Sequence, residues 1–168
     1  MKNVVFIGFM GTGKSCVGRL LAEKISFSFA DTDILVEQNC GMSIPEIFAQ
    51  YGEKYFRSEE KKAVKEAAAC SNIVISTGGG VPTFEENMAV LKKNSIIICL
   101  CASVNTILQR TKGRNNRPLL NSDKDKVQQL LDKRQPVYKK ADFIIDTDDL
   151  SPLQIVNEIM LYLKRRKN

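Results

Sequence analysis

Short apolar segments rich in β-branched residues alternate with longer segments of helical periodicity along this chain. We interpret the apolar segments as five strands, at residues 3–8, 27–31, 72–77, 95–101 and 142–146. Most of them are apolar on both faces, as strands of a parallel sheet covered by helices on each side must be. The alternation therefore predicts an α/β fold, with a parallel sheet of about five strands flanked by helices on both faces.

Two of the intervening segments have features beyond periodicity. Residues 43–70 open with "SIPE", in which Ser43 and Glu46 fit a capping box, and Gly52 is expected to divide the segment into two helices. Residues 111–124, "TKGRNNRPLLNSDK", are polar and aperiodic, and a loop of this length in a compact domain is more often functional than accidental. Neither a repeat nor a linker is visible, so we expect one domain.

The first predicted strand runs into "GFMGTGKS", residues 8–15, which fits the phosphate-binding pattern G-x-x-x-x-G-K-[ST]. Its glycines let backbone N–H groups converge on one point, at which the positive end of the following helix is also aimed. Lys14 is expected to reach the β- and γ-phosphates, and the Ser15 hydroxyl to ligate Mg²⁺. Motif and context together predict a site for a nucleoside triphosphate.

Asp31 and Asp33 follow the second predicted strand, and ligands of such sheets bind beyond the carboxyl ends of the strands. A plain structural interpretation makes Asp33 a helix N-cap and Asp31 a turn residue. In the functional interpretation, Asp31 assists magnesium, because hard cations prefer oxygen ligands and keep several waters. Asp33 then accepts a proton or a hydrogen bond from a substrate hydroxyl, a role for a carboxylate in a chain without histidine.

Two further motifs suit an anionic ligand. In "GEKYFRSEE", residues 52–60, Arg57 and Glu60 are spaced to pair on a helix, which would hold the guanidinium ready for a planar carboxylate. A solvated surface ion pair is the alternative. After the third strand, "STGGG" at residues 76–80 offers bare backbone to a ligand, although three glycines can also be a flexible turn.

Several arginines accompany the long aperiodic loop. Arg117, in "RPLL", is expected to bring a cation to the γ-phosphate from a lid that closes and excludes water. Arg114 is interpreted as a solvated loop charge. The segments 109–113 and 149–152 either border an adenine or are ordinary loops.

Charge and composition narrow the class of partner. The net charge of +6 and the pI of about 9.1 are compatible with a nucleic-acid ligand. Part of that charge is the terminal "KRRKN", and the arginines are not interleaved with aromatics, so an anionic small substrate explains them as well. No apolar run approaches the ~20 residues of a membrane span. Five cysteines cannot all be paired, and Cys99 and Cys101 are interpreted as small apolar strand residues.

Taken together and in order, these motifs resemble those of the shikimate kinases, in the nucleoside-monophosphate-kinase-like P-loop group. The resemblance runs nearly end to end, and its further signatures are "GMSIPEIF", "RPLL" and R-x-P-x-Y at 134–138. It implies one P-loop kinase domain over residues 1–168, with substrate-binding helices at about 31–61 and a mobile lid at about 111–124. The implied reaction is ATP-dependent phosphorylation of the 3-hydroxyl of shikimate to shikimate 3-phosphate, a step towards chorismate and the aromatic amino acids. A cytoplasmic monomer that uses Mg²⁺ and binds neither nucleic acid nor a membrane is expected.

The resemblance also implies a role for each matched position. Chemistry would fall to Asp33, Lys14 and Arg117, and the metal to Ser15 and Asp31, the latter through water. ATP would be bound by Gly11, Thr12, Gly13, Lys14, Ser15, Cys16, Arg110, Arg117 and Pro152, and the acceptor by Asp33, Arg57, Gly78, Gly79, Gly80 and Arg134. Cys16 stands where many relatives carry threonine.

Three alternatives remain at this stage. A gluconate kinase has a similar architecture, but its second-strand motif carries a nearby histidine, and this sequence contains none. A nucleoside monophosphate kinase would need an acceptor site for a phosphate dianion, which the Asp33 carboxylate would repel. A nucleotide-dependent RNA-binding or regulatory module would call for a platform of aromatic and basic residues, which is not apparent.

Overall fold

A computed structural model describes residues 2–112 and 124–166 of the chain. Within them, five parallel strands form one sheet in the order β2-β3-β1-β4-β5. Each strand lies within two residues of its predicted bounds, so the α/β prediction with a five-stranded parallel sheet is confirmed. The strands are β1 (Asn3–Ile7), β2 (Ser28–Asp31), β3 (Ile73–Ser76), β4 (Ser95–Cys101) and β5 (Phe143–Asp146).

Seven α-helices connect or follow these strands in the described part of the chain. A short 3₁₀ turn at Val81–Thr83 precedes the fourth helix. None of these helices is both long and apolar enough to cross a membrane. They are α1 (Lys14–Ile25), α2 (Thr32–Cys40), α3 (Ile44–Ala68), α4 (Glu85–Lys92), α5 (Val104–Thr111), α6 (Lys124–Tyr138) and α7 (Pro152–Arg165).

The sheet is covered on both faces, as its apolar strands predict. On one face, Phe6 and Ile98 pack with side chains of α1 and α7. On the other, Ile7 and Ile97 pack with side chains of α3, α4, α5 and α6. Each fully buried aliphatic or aromatic side chain contributes about 1.5–3 kcal/mol relative to an exposed one, so these two layers hold the loops at the sheet edge in fixed positions.

Helix α3 contains the predicted break. The capping box is present at its start, where the Ser43 N–H donates to Glu46 Oε2 (2.8 Å) and the Glu46 N–H donates to Ser43 Oγ (3.4 Å). Gly52 has φ 80° and ψ 176°, which interrupts the helical path. A left-handed φ of this kind favours glycine. The interruption redirects the second half of α3, which carries Arg57 towards the sheet.

The carboxyl ends of β1, β2 and β3 meet at one edge of the sheet, because the strands are parallel and adjacent. The loop at residues 8–13, the turn at 31–33 and the glycine run at 78–80 therefore converge there. Most of the predicted lid at 111–124, including Arg114 and Arg117, lies outside the described residues.

Candidate functional site

The loop between β1 and α1 forms an anion cradle. Gly8 and Gly11 have φ values of 139° and 76°, which favour glycine, and a methyl group built on Gly8 would overlap the carbonyl oxygen of Leu100. Gly13 precedes α1, and no side chain caps this helix. The first N–H groups of α1, at its positive end, thus have no side-chain acceptor from the cap position, as an anion site requires.

Lys14 lies folded across this cradle. Its Nζ donates hydrogen bonds to the carbonyl oxygens of Gly8 and Phe9, both at 2.8 Å. The side chain is buried, with 6% exposed. The lysine thereby fixes the curvature of the loop and places a cation beside the point on which its N–H groups converge.

Ser15 and Asp31 bring two hard oxygen donors together beside the cradle. Ser15 Oγ donates to Asp31 Oδ2 at 2.5 Å and lies 3.2 Å from Ser76 Oγ. The other oxygen of Asp31 accepts the N–H of Asp33 at 2.9 Å, which makes Asp31 the N-cap of α2. The plain interpretation with Asp33 as N-cap was therefore wrong in its assignment: Asp31 caps the helix with one oxygen and faces Ser15 with the other.

These groups share one cavity of about 380 Å³. It is lined by both aspartates together with the lysine of the cradle. Thr77, at the end of β3, also lines it. The predicted site residues along its wall are Gly11, Gly13, Lys14, Ser15, Cys16, Asp31, Asp33 and Arg110.

Three residues that were predicted to bind the nucleotide lie in three different places. Arg110 spans two loops, because it donates to Gly11 O (3.3 Å) and to both the hydroxyl (3.1 Å) and the carbonyl oxygen (2.9 Å) of Thr147. The hydroxyl of Thr12 donates to Phe9 O (2.8 Å), and this buried residue lines a second cavity instead. Pro152 begins α7 and is not among the residues that line the 380 Å³ cavity.

The glycine run at residues 78–80 is in close contact with charged side chains. A methyl group built on Gly78 would lie 2.7 Å from Asp33 Oδ1 and 2.9 Å from Glu60 Oε2. One built on Gly79 would lie 3.0 Å from Arg134 Nη1, and one on Gly80 would overlap the guanidinium of Arg57. The bare backbone is thus needed for close approach, and the flexible-turn alternative does not account for this packing.

Arg57 and Glu60 form a partly buried ion pair. Arg57 Nη1 donates to Glu60 Oε1 at 2.9 Å, and the side chains are 15% and 1% exposed. Burial raises the pKa of Glu60 from 4.5 to about 7, Arg57 opposes that rise, and the nearby Asp33 adds to it. The alternative of a solvated surface pair was wrong, since one partner is fully enclosed.

Arg134 brings a second guanidinium to the same place. The residue is 4% exposed, and its Nη1 has no hydrogen-bond partner among the described residues. Its guanidinium carbon lies 5.5 Å from the Phe9 ring centroid. A buried, unsatisfied cationic N–H is costly, so Arg134 and Arg57 are suited to an anionic group held against the glycine run.

Sequence reasoning did not single out several supporting residues. Ser76 faces Ser15 from the end of β3, and it could have been noticed as the polar residue that opens "STGGG". The Gly78 N–H donates to Thr32 Oγ1 at 3.0 Å, and no sequence signal indicates this contact. Tyr138 Oη donates to Gly79 O at 2.8 Å; it is the last residue of R-x-P-x-Y, whose spacing places it one helical turn after Arg134.

Comparison with known proteins gives a consistent result. The family model described as shikimate kinase matches residues 10–164. A curated shikimate kinase from Thermodesulfovibrio yellowstonii is 46% identical over 170 residues, which cover 100% of this chain and 98% of the relative. A solved shikimate kinase from Acinetobacter baumannii, in complex with shikimate, superposes with a TM-score of 0.96 at 35% identity, covering 99% of this chain and 95% of that one.

A gluconokinase from Sinorhizobium meliloti has the same fold at greater distance. Its TM-score is 0.67 and its identity 18%, over 98% of this chain and 92% of that one. At this identity the likeness concerns the fold alone.

Proposed function

This chain belongs to the shikimate kinase family, and we propose that it transfers the γ-phosphoryl group of ATP to the 3-hydroxyl of shikimate. Family membership makes it an ATP-dependent kinase of the pathway to the aromatic amino acids. The single observation that supports the residue assignment best is that the anion cradle and the glycine run lie on two sides of one space, with Asp33 between them. Asp33 lines the cavity of the anion cradle and also contacts the glycine run on which Arg57 and Arg134 converge.

ATP binds with its phosphates in the cradle. The N–H groups of residues 11–16 and the Lys14 ammonium face the β- and γ-phosphates, and Arg110 lies beside the adenine. In the proposal, Lys14 exchanges its contacts with the loop carbonyls for phosphate oxygens. Thr12 contributes through its backbone, because its hydroxyl is engaged with Phe9. Pro152, at the start of α7, supplies the far wall of the adenine site.

The donor set beside the cradle fits magnesium. A hydroxyl and a carboxylate 2.5 Å apart are hard oxygen ligands of the kind that Mg²⁺ shares with phosphates and water. Ser15 would hold the ion directly, and Asp31 through water. When bound, the ion neutralises charge on the phosphates.

Shikimate binds against the glycine run. Its carboxylate binds to the guanidinium groups of Arg57 and Arg134, whose planar geometry suits bidentate pairing with a carboxylate. Residues 78–80 line the pocket, and the accepting hydroxyl points to Asp33. Asp33 either removes the hydroxyl proton or orients the oxygen by a hydrogen bond, and in both cases the oxygen is placed in line with the γ-phosphate.

Catalysis then consists mainly of positioning and charge neutralisation. Lys14 stabilises the negative charge that spreads over the transferring phosphoryl group. Arg117 is proposed to add a second cation when the lid at 111–124 closes. The proposal extends to a single domain over residues 1–168, acting as a cytoplasmic monomer without nucleic-acid or membrane partners, and rests there on the resemblance alone.

A coupled assay of ADP release tests the function. Shikimate, gluconate and AMP are offered in turn with Mg-ATP, and shikimate should raise turnover well above the ATP-only background. Product identity is checked as shikimate 3-phosphate by mass spectrometry. If gluconate or AMP stimulates ADP release and shikimate does not, the proposed function is wrong.

A further inference from the structure

Two thiols lie side by side on β4. Cys99 and Cys101 are two residues apart on a strand, so their side chains share a face of the sheet, and their sulfurs are 3.6 Å apart. Cys99 is buried, whereas Cys101 is partly exposed. We call this pair the β4 dithiol. Neither thiol has a part in the proposed phosphoryl transfer.

The β4 dithiol is reached through the second cavity. This space, about 200 Å³, is lined by Cys101 together with Phe9, Leu131 and Tyr138, among others. The contact between the two thiols holds the pKa of Cys101 below its usual value, whereas the same contact and burial raise the pKa of Cys99. Cys101 lines the cavity and is partly exposed, so a peroxide meets Cys101 first, and the buried Cys99 stands next to it as the resolving thiol.

We propose that the β4 dithiol is a site of reversible oxidation by hydroperoxides, which closes a Cys99–Cys101 disulfide. The Cys101 thiolate attacks one oxygen of hydrogen peroxide, the O–O bond breaks, and Cys101 becomes a sulfenic acid. The other oxygen leaves as hydroxide and takes the proton that the Cys101 thiol released, which gives water. The Cys99 sulfur then attacks Cys101, the S–O bond breaks, and the hydroxyl leaves as water with the Cys99 proton. Two thiols and one hydrogen peroxide give one disulfide and two waters.

The disulfide requires β4 to bend. With a rise of about 3.3 Å per residue, the Cα atoms of residues two apart on a strand are separated by roughly 6.6 Å. That is at the upper end of the usual disulfide range of about 4.4–6.8 Å, and the Cβ atoms must come closer still. Formation of the disulfide therefore shortens the distance between residues 99 and 101 and bends the strand at Leu100. A strained disulfide of this kind is readily reduced.

Bending at Leu100 acts on both ends of the nucleotide site. The Leu100 carbonyl oxygen occupies the place where a side chain of Gly8 would be, so it abuts the start of the cradle. The Cys101 carbonyl oxygen accepts hydrogen bonds from the N–H and hydroxyl of Thr147, both at 2.8 Å, and Thr147 in turn holds Arg110. Oxidation should therefore weaken nucleotide binding. This effect on affinity rests on the proposed function, whereas the formation of the disulfide is independent of it.

The first measurement is peptide mapping of the full chain after treatment with hydrogen peroxide. The variant with Cys16→Ser, Cys40→Ser and Cys70→Ser keeps only the two β4 thiols. After alkylation with iodoacetamide, the tryptic peptide of residues 94–110 contains both thiols and should carry no alkyl group and lack two hydrogen atoms. Dithiothreitol should restore the doubly alkylated peptide. Failure to form this disulfide, at peroxide concentrations that oxidise Cys70 in the parent chain, would overturn the proposal.

The second measurement is binding of N-methylanthraniloyl-ADP to the same variant, oxidised and reduced. We expect the dissociation constant to rise about tenfold on oxidation and to return after reduction. Adding Cys101→Ser should abolish both the disulfide and the tenfold change, and Cys101→Ala serves if the serine variant does not fold. A disulfide that forms while nucleotide affinity stays constant would refute the link to the cradle. A change that persists without Cys101 would refute the assignment of the site.

Discussion

Two regions meet at the carboxyl end of the sheet, and they are built in opposite ways. The proposed donor side, residues 8–15, is one contiguous segment, a loop and the first residues of α1, whose proposed ligand groups are mostly backbone N–H groups held by glycine conformations. The acceptor side gathers charged side chains from α2, α3 and α6 onto the glycine run at residues 78–80. Asp33 belongs to both spaces, since it lines the donor cavity and contacts Gly78.

The difference bears on how each side can change. A backbone cradle is set by local chain geometry and recognises phosphate whatever the acceptor is. A convergent set of side chains depends on the packing of three helices, and substitution of one side chain can alter acceptor choice without touching the cradle. We expect substitutions on the two sides to be separable, and each prediction below tests that expectation.

The largest effect is expected for Lys14→Met on the donor side. Turnover should fall about a thousandfold, because the cation opposite the developing phosphoryl charge is lost. The affinity for shikimate, measured by calorimetry without nucleotide, should stay within about twofold of the parent's. Lys65→Met, at an exposed position of α3, is the control. A loss of shikimate affinity as large as the loss of turnover would mean that the two sides are not separable.

Glu60→Gln tests the cost of burying charge on the acceptor side. Because burial raises the Glu60 pKa from 4.5 to about 7, the native state keeps a proton in that pH interval that the unfolded chain has released. Linkage then makes the free energy of unfolding fall as pH rises from about 4.5 to 7, by on the order of 3 kcal/mol. Urea unfolding at pH 5 and pH 8 should show this fall in the parent and a smaller one in Glu60→Gln.

The matched control for that experiment is Glu66→Gln, at an exposed position on the same helix. It should keep the pH dependence of the parent. Equal pH dependence in the parent and in Glu60→Gln would show that the buried carboxyl is not the cause.

The same contrast explains which features of the fold and of the site could be predicted from the sequence. The strands and the cradle were predicted with their residues, because apolar periodicity and glycine placement are local features. Asp31 and Asp33 were placed at the correct strand end, but which of them caps α2 depends on where the helix begins, one residue after Asp31. Local sequence gives no such information for this turn.

That charged side chains meet the glycine run on the acceptor side could be predicted only from the family resemblance. Nothing in the spacing of Arg57, Gly80 and Arg134 shows that they meet, since they come from separate elements and the contact is a product of the packed fold. Burial of Glu60 was likewise invisible, because an i,i+3 pair with Arg57 has the same sequence signature on a solvated face. The sequence also did not show that the Thr12 side chain faces away from the 380 Å³ cavity, because this orientation follows from its hydrogen bond to Phe9 O.

A methyl group at Gly80 should damage the acceptor side alone. In Gly80→Ala the new group overlaps the end of the flexible Arg57 side chain, so the guanidinium is displaced while the fold persists. We expect the half-saturating concentration of shikimate to rise about thirtyfold, since small misplacements of a positioning group are costly. Steady-state kinetics measure it, and ADP affinity should change less than about twofold.

Gly41→Ala is the control for a general loss of stability. Gly41 has a left-handed φ of 67° and open space around it, so alanine there strains the backbone without meeting a site residue. If it weakens shikimate binding as much as Gly80→Ala does, the displaced guanidinium is not the explanation.

The smallest effect is expected for Tyr138→Phe, which removes one support of the glycine run. Tyr138 is 3% exposed, and its hydroxyl donates to Gly79 O at 2.8 Å. Loss of the donor leaves a buried carbonyl oxygen with one partner fewer, at a cost of about 1 kcal/mol in the free energy of unfolding. Tyr162→Phe removes a more exposed hydroxyl, which donates to Asp142 O at 3.1 Å and accepts from Arg166 Nη1 at 3.1 Å, and water can replace it in both bonds. Urea denaturation should therefore show a smaller loss for Tyr162→Phe, and equal losses would mean that enclosure of the acceptor side adds nothing to the strength of its hydrogen bonds.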